Sequence, residues 1–219
     1  YKRFLLSVGC LLSIHFTALF FLTLFRLVFF FSANYDFPDQ EHVGFMSIWP
    51  AFIRGVWFDN VIACYILLIP LVAVSISALF NYYGKILWNV TCIFFSLFYG
   101  IVLLVTAANI PYFQYFFKII NSSVFNWFGY MNTTAGMVFG ETSYYPPLIG
   151  FLLTLVLFIW LMRRLIRHFQ RLLNTKNPSV FWLDRIYIFL TAGICIGLCL
   201  FGIRGRTGYN PIKVSAAYY

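Results

Sequence analysis

The chain has 219 residues, 62% of them hydrophobic and 22% aromatic, and its 15 basic and 6 acidic side chains leave a net charge of +9. That composition argues against disorder, which needs low hydrophobicity and high charge, and against a water-soluble globule, which runs at about 45–50% apolar and about 25% charged residues. The basic residues are scattered among apolar runs rather than gathered into one stripe for phosphates, so nucleic acid is not an expected partner.

One membrane span takes roughly 20 apolar residues, and five runs qualify. The first, Phe4–Phe31, would reach roughly 40 Å as a helix against a hydrocarbon core of about 30 Å, so its last turns, with Phe29, Phe30 and Phe31, should stand in the interface. Ser32–Pro50 reads as a polar loop leading into a Trp- and Phe-rich approach, Phe52–Phe58. The second span, Val61–Phe80, begins next to Asp59, where a helix dipole would stabilise a carboxylate, and Pro70 is predicted to kink it. Asn81–Lys85 is long enough only for a turn before the third span, Ile86–Ala108.

Asn109–Pro147 never becomes hydrophobic enough to span, yet it is dense in aromatic residues. Tyr112/Phe113, Phe116/Phe117 and Ile120 recur at helical spacing, and Asn121-Ser122-Ser123 resembles a cap before Val124–Met131. The pattern predicts two short helices lying in the outer interface. The fourth span, 148–166, starts after Pro146-Pro147, which suits a first helical turn. Arg163, Arg164, Arg167 and Arg171 continue it as a basic amphipathic extension, by topology and snorkelling rather than specific lipid recognition. The fifth span is Ile186–Ile203, followed by a linker over 204–219.

If all five runs span, one side carries a net +8 and the other +1. The positive-inside rule then places the N-terminus in the cytoplasm and the C-terminus outside. The fold class is therefore an all-α membrane protein with five transmembrane helices, N-in and C-out, and short interfacial helices on the outer face.

Residues able to carry chemistry are sparse. Cys10, Cys64, Cys92, Cys195 and Cys199 all lie inside apolar runs, which predicts neither a disulfide framework nor a zinc cluster. Cys195 and Cys199 share a helix face and read as small packing residues. His15, His42 and His168 are too far apart in the topology to hold a metal together, and no nucleophile elbow, HExxH or phosphate-binding loop is present. Gly202-x-x-Gly205-x-x-Gly208 reads as a flexible exit loop. Arg26, in the outer third of the first helix, and Asp59 fall at similar depth. Arg54 lies about 140° around a helix from Asp59, so Arg26–Asp59 is the favoured pair, either fixing helix packing or touching a substrate.

The segment Arg54-Gly55-Val56-Trp57-Phe58-Asp59 resembles the membrane half of lipoteichoic-acid-synthase-like proteins. Tyr112-Phe113, Asn121 through Phe125, and Gly202-Ile203-Arg204-Gly205-Arg206 with Asn210-Pro211 add to that resemblance, which covers essentially the whole chain. These are transferases of the sulfatase and alkaline-phosphatase superfamily with five N-terminal helices and an extracytoplasmic catalytic domain. The resemblance implies that such a domain, with a threonine nucleophile and a divalent metal (Mn, Mg or Zn), follows Tyr219. It implies no catalytic, metal or cofactor residue within these 219 positions. Membrane phospholipid and the chain's own C-terminal domain are then the expected partners, in a bacterial inner membrane. Arg26, Arg54, Asp59, Tyr112, Lys118, Asn121, Arg204 and Arg206 become candidate headgroup or packing contacts. A small transporter or channel, or a structural subunit of a membrane complex, is the alternative reading.

The charge asymmetry makes a topological prediction. Cysteines introduced at Thr175 and Thr207 should be labelled from opposite sides, Thr175 from the cytoplasm and Thr207 from outside. Labelling of both from one side would leave no odd number of spans.

Overall fold

The computed structural model describes residues 1–35, 45–121, 142–173 and 182–204, together with Gly136 and Gly140. Its elements are α1 (Lys2–Tyr35), α2 (Phe45–Leu79), α3 (Lys85–Phe116), a 3-10 turn at Thr142–Tyr144, α4 (Tyr145–Leu173) and α5 (Trp182–Arg204). No strand occurs among the described residues. All five helices are long and apolar enough to cross a membrane.

The helices match the five expected runs but extend beyond most of their limits, α1 itself continuing to Tyr35. α2 begins at Phe45 and continues through Pro50 and Pro70, so the Trp- and Phe-rich approach is helix and part of the expected Ser32–Pro50 loop is too. Asp59 therefore lies well inside α2, and no helix N-terminus is available to stabilise it. α3 does not stop at Ala108 but runs on to Phe116 through Pro111. The helical spacing of Tyr112, Phe113 and Phe116 is thus the last part of a long helix rather than a separate short one. The expected second short helix, Val124–Met131, and the linker beyond Arg204 fall outside the described residues. α4 starts at Tyr145 with both prolines in its first turn, where their missing N–H groups cost no hydrogen bond, and its basic extension stays helical to Leu173.

Two residues with left-handed backbone end helices. Asn81 (φ 54°) follows α2, and the bonds Tyr82 N–H to Ser77 O (2.8 Å) and Asn81 N–H to Ala78 O (3.0 Å) close a Schellman motif. Asparagine tolerates this conformation because its short polar side chain bonds locally. Phe117 (φ 52°) ends α3, its N–H donating to Phe113 O at 2.8 Å. The Asn109 side chain then accepts the N–H of Ile120 at 2.9 Å, holding the chain back against the helix it has just left.

α1 is the hub, packed against α2, α3 and α4, while α5 packs chiefly on α2. Burial follows this arrangement. On α1, Phe4, Val8, Leu11, His15, Ala18, Leu22 and Phe25 are buried at alternating spacings of four and three, the seam of a left-handed helix pair. Ser7, Cys10, Ile14 and Phe21 widen it into a broad face that serves three neighbours. α3 buries one stripe, Trp88, Thr91, Phe95, Tyr99, Leu103, Ala107 and Ile110, whereas α5 buries only Ile188, Ala192 and Cys199. Phe16, Phe20, Ile93, Leu153, Val156, Phe189 and Leu198 are all exposed, an apolar exterior suited to lipid rather than water.

Many serine and threonine hydroxyls inside the helices are satisfied locally, whereas the buried Tyr99 hydroxyl and Trp88 Nε1 have no partner among the described residues. Ser13, Thr17, Thr23, Ser75, Ser96, Thr106, Thr154 and Thr191 each donate to the carbonyl four residues back at 2.7–2.8 Å. At one end of the bundle Tyr1 and Tyr187 bring their rings within 5.9 Å. There burial raises the Tyr83 phenol above its ordinary pKa, against the opposing pull of Arg3.

Where the surrounding solvent is hydrocarbon, helices gain little from hiding apolar surface, and close packing carries the association. Phe158 is the test, since it is 0% exposed and meets Phe21 at 6.2 Å and Tyr99 at 5.4 Å, edge to face, joining α4 to α1 and α3. Phe158→Ala leaves a void of roughly 100 Å³, worth about 2 kcal/mol at ~24 cal/mol per Å³. Thermal unfolding in detergent should show a clear loss for Phe158→Ala and little for Phe189→Ala, which is 68% exposed.

Candidate functional site

The polar side chains of the spans converge where α1, α2 and α5 meet. Arg26 of α1 turns its guanidinium onto α2. Its Nη2 donates to Asp59 Oδ1 at 2.8 Å and to the Gly55 carbonyl at 3.0 Å, and its Nε donates to Asp59 Oδ2 at 3.3 Å. Gly55 sits one turn before Asp59, so a planar fork reaches both the carboxylate and the carbonyl of the preceding turn. The absence of a side chain at Gly55 is required here: a Cβ would fall on the Arg26 guanidinium. Side-chain exposures of 32% for Arg26 and 14% for Asp59 leave the pair partly exposed.

The next residue on α2 extends the network inward. Asn60 Oδ1 lies 3.1 Å from His15 Nε2, which donates to it in the Nε2–H tautomer. His15 is 5% exposed, and its Nδ1 is buried with no partner among the described residues. One turn further, the Cys64 thiol lies 3.9 Å from Asn60 Oδ1, and the Cys199 thiol of α5 donates to the Cys64 carbonyl at 3.3 Å. Gly202 completes the contact, since a Cβ there would stand 2.6 Å from Cys64 Sγ. Ala192, Cys195, Cys199 and Gly202 follow one another at spacings of three and four, a stripe of small residues that lets α5 close on α2.

The expected contact between Arg26 and Asp59 is thus present, made through a fork rather than a single bond. The other sequence candidates are dispersed. Arg54 is exposed on α2, and Tyr112 is half-buried near the end of α3 with its ring 4.8 Å from that of Phe116. Lys118 and Asn121 are exposed beyond α3, Arg204 is exposed as the last residue of α5, and Arg206 lies outside the described residues. Two readings change. Gly202 is helical and packed, not part of a flexible exit loop, and Cys199 engages α2 through a hydrogen bond as well as by filling space. His15, Asn60 and Gly55 were not among the candidates. The signals were an Asn beside Asp59 and a Gly one turn before it on the same helix.

Among the described residues no group of three or more His, Cys, Asp or Glu side chains is placed to hold a metal ion. The arrangement does not offer a nucleophile with a base. It offers a neutralised ion pair with donor capacity to spare: three of the five guanidinium N–H groups are used by Asp59 and Gly55, and the two on Nη1 take no part in these bonds. No protein family, curated protein or solved structure matches this chain.

An unpaired charge at bilayer depth costs on the order of 2.5–3.5 kcal/mol on insertion scales. Arg26→Ala and Asp59→Ala should therefore each destabilise the protein in detergent or lipid. A double-mutant cycle should give a coupling of about 1–3 kcal/mol. Coupling near zero, with both single variants harmless, would mean that Arg26 reaches the interface on its own.

Proposed function

We propose that these helices are the membrane anchor and lipid-access domain of a bacterial inner-membrane transferase that moves a phospholipid headgroup of phosphoglycerol or phosphoethanolamine type. The observation that carries this reading is the Arg26 fork. A charged pair among membrane-spanning helices is costly to keep and marks a functional position by default. Arginine matches a phosphate in shape and charge, and Nη1 makes none of the bonds to Asp59 and Gly55. Support also comes from the resemblance of the segment Arg54–Asp59 to lipoteichoic-acid-synthase-like membrane domains, because its Gly55 and Asp59 both meet Arg26.

In this reading the N-terminus is cytoplasmic and the C-terminus extracytoplasmic, and the aromatic stretch between α3 and α4 lies at the outer interface. The pair then stands toward the outer leaflet. Asp59 and the Gly55 carbonyl hold the guanidinium in place, and Nη1 orients a lipid phosphate toward the extracytoplasmic side. Positioning a reactant in this way lowers the barrier without chemistry by the helices themselves. Bond making and breaking belong to a domain following Tyr219.

The test is headgroup release by the full-length protein in vesicles of phosphatidylglycerol or phosphatidylethanolamine. Wild type should release a headgroup from one of them. Arg26→Lys, which keeps the charge and loses the fork, should lower the rate by about 10–100-fold. The absence of both headgroup release and a sulfatase-like domain downstream, with solute flux across the same vesicles, would favour a transporter instead.

A further inference from the structure

A cleft of about 350 Å³ runs between α1, α3 and α4, a volume within the ~300–1,000 Å³ range of small-molecule sites. Leu24, Val28 and Ser32 line it along one face of α1, Ile110 and Gln114 face it from α3, and Gly150 opens it from the side of α4. It lies against different helices from the Arg26 fork, which is turned toward α2. From Leu24 to Ser32 it extends about 12 Å along the helix axis. Its walls are mostly carbon, and the Thr154 hydroxyl is occupied by the Gly150 carbonyl at 2.8 Å. Among the described lining residues polar side chains meet at one end, where the Gln114 amide donates to Ser32 Oγ at 2.8 Å.

Shape and polarity together select an occupant. Spread over its length, the cleft averages about 30 Å² in cross-section, the scale of a single hydrocarbon chain and well short of a helix about 10 Å wide. A second copy of the bundle therefore does not enter it. The medium around three spanning helices supplies hydrocarbon, and the polar end offers an amide and a hydroxyl where a chain would reach its ester. We propose that this cleft binds one acyl chain of a membrane glycerophospholipid, with the ester region beside Ser32 and Gln114. The proposal rests on the lipid-access reading only in its choice of a phospholipid.

Gly150 gives the means to test it, because a Cβ added there meets no atom within 4 Å and a large side chain would project into the cleft. The full-length protein is placed in nanodiscs containing a trace of phosphatidylglycerol with a diazirine on one acyl chain, illuminated, and mapped by peptide mass spectrometry. Label should concentrate on Leu24, Val28 and Ile110, and Gly150→Trp should lower it by about tenfold. Gly193→Trp on α5, where a Cβ also meets nothing, should leave the cleft labelling unchanged. Thermal unfolding reports whether each variant is folded, with Gly150→Leu as the smaller filler if the tryptophan is not accepted. Label spread evenly over Phe16, Ile93 and Leu198 and indifferent to Gly150 would overturn the proposal, as would crosslinks between copies through the cleft. Cleft labelling without headgroup release would leave this site standing and remove the transferase reading. Headgroup release without cleft labelling would do the reverse.

Discussion

A guanidinium among apolar helices carries five N–H donors that must find acceptors away from water, and much of the arrangement of α1 and α2 follows from that requirement. Arg26 needs a carboxylate, so Asp59 is inside the helix rather than at its end. It also takes the Gly55 carbonyl, so Gly55 has no side chain. With the pair fixed, Asn60 faces α1 a residue later and meets the His15 ring at 3.1 Å. The same rule operates in miniature throughout the helices, where serine and threonine hydroxyls return their protons to their own backbone. Polar groups in hydrocarbon are cheap only when the protein provides their partners.

The remaining contacts are matters of shape. α1 is surrounded by three helices and accordingly buries a broad face, whereas α5 has one principal neighbour and buries a narrow one. That neighbour is approached closely because the facing residues are small, down to a glycine against the Cys64 sulfur. Large rings do the opposite work between α1, α3 and α4, where Phe21, Tyr99 and Phe158 wedge the helices and set their spacing. Close approach on one side of α1 and propped separation on the other give the bundle two unlike halves.

The apolar runs were legible in the sequence because spanning a bilayer demands some 20 consecutive apolar residues, a signal few other structures produce. Helix limits were less legible. Hydropathy reports what side chains prefer, whereas a helix continues wherever its backbone can bond to itself, so α2 reaches back through Trp57, Arg54 and Pro50 and α3 forward through Pro111. The pairing of Arg26 with Asp59 could be read from depth and cost alone. His15 with Asn60, and Cys199 with Cys64, could not, because they depend on how the helices cross. Gly202 shows the ambiguity of glycine in a pattern: three evenly spaced glycines look like a loop, while the smallness of Ala192, Cys195 and Cys199 on the same face indicates a helix seam.

Arg26 and Asp59 are 33 residues apart in the chain, and the ribosome makes the arginine first. At about 5–20 residues per second, Arg26 exists for about 2–7 s before its carboxylate is even polymerised. Asp59 in turn arrives on a helix joined to α3 by the tight Asn81 turn, and beyond Lys85 α3 carries no acidic or basic residue. The two helices are thus suited to enter the membrane together as a hairpin, the apolar α3 carrying in the charged α2. Delivery of that hairpin ends the interval in which the first helix is held with a solitary charge.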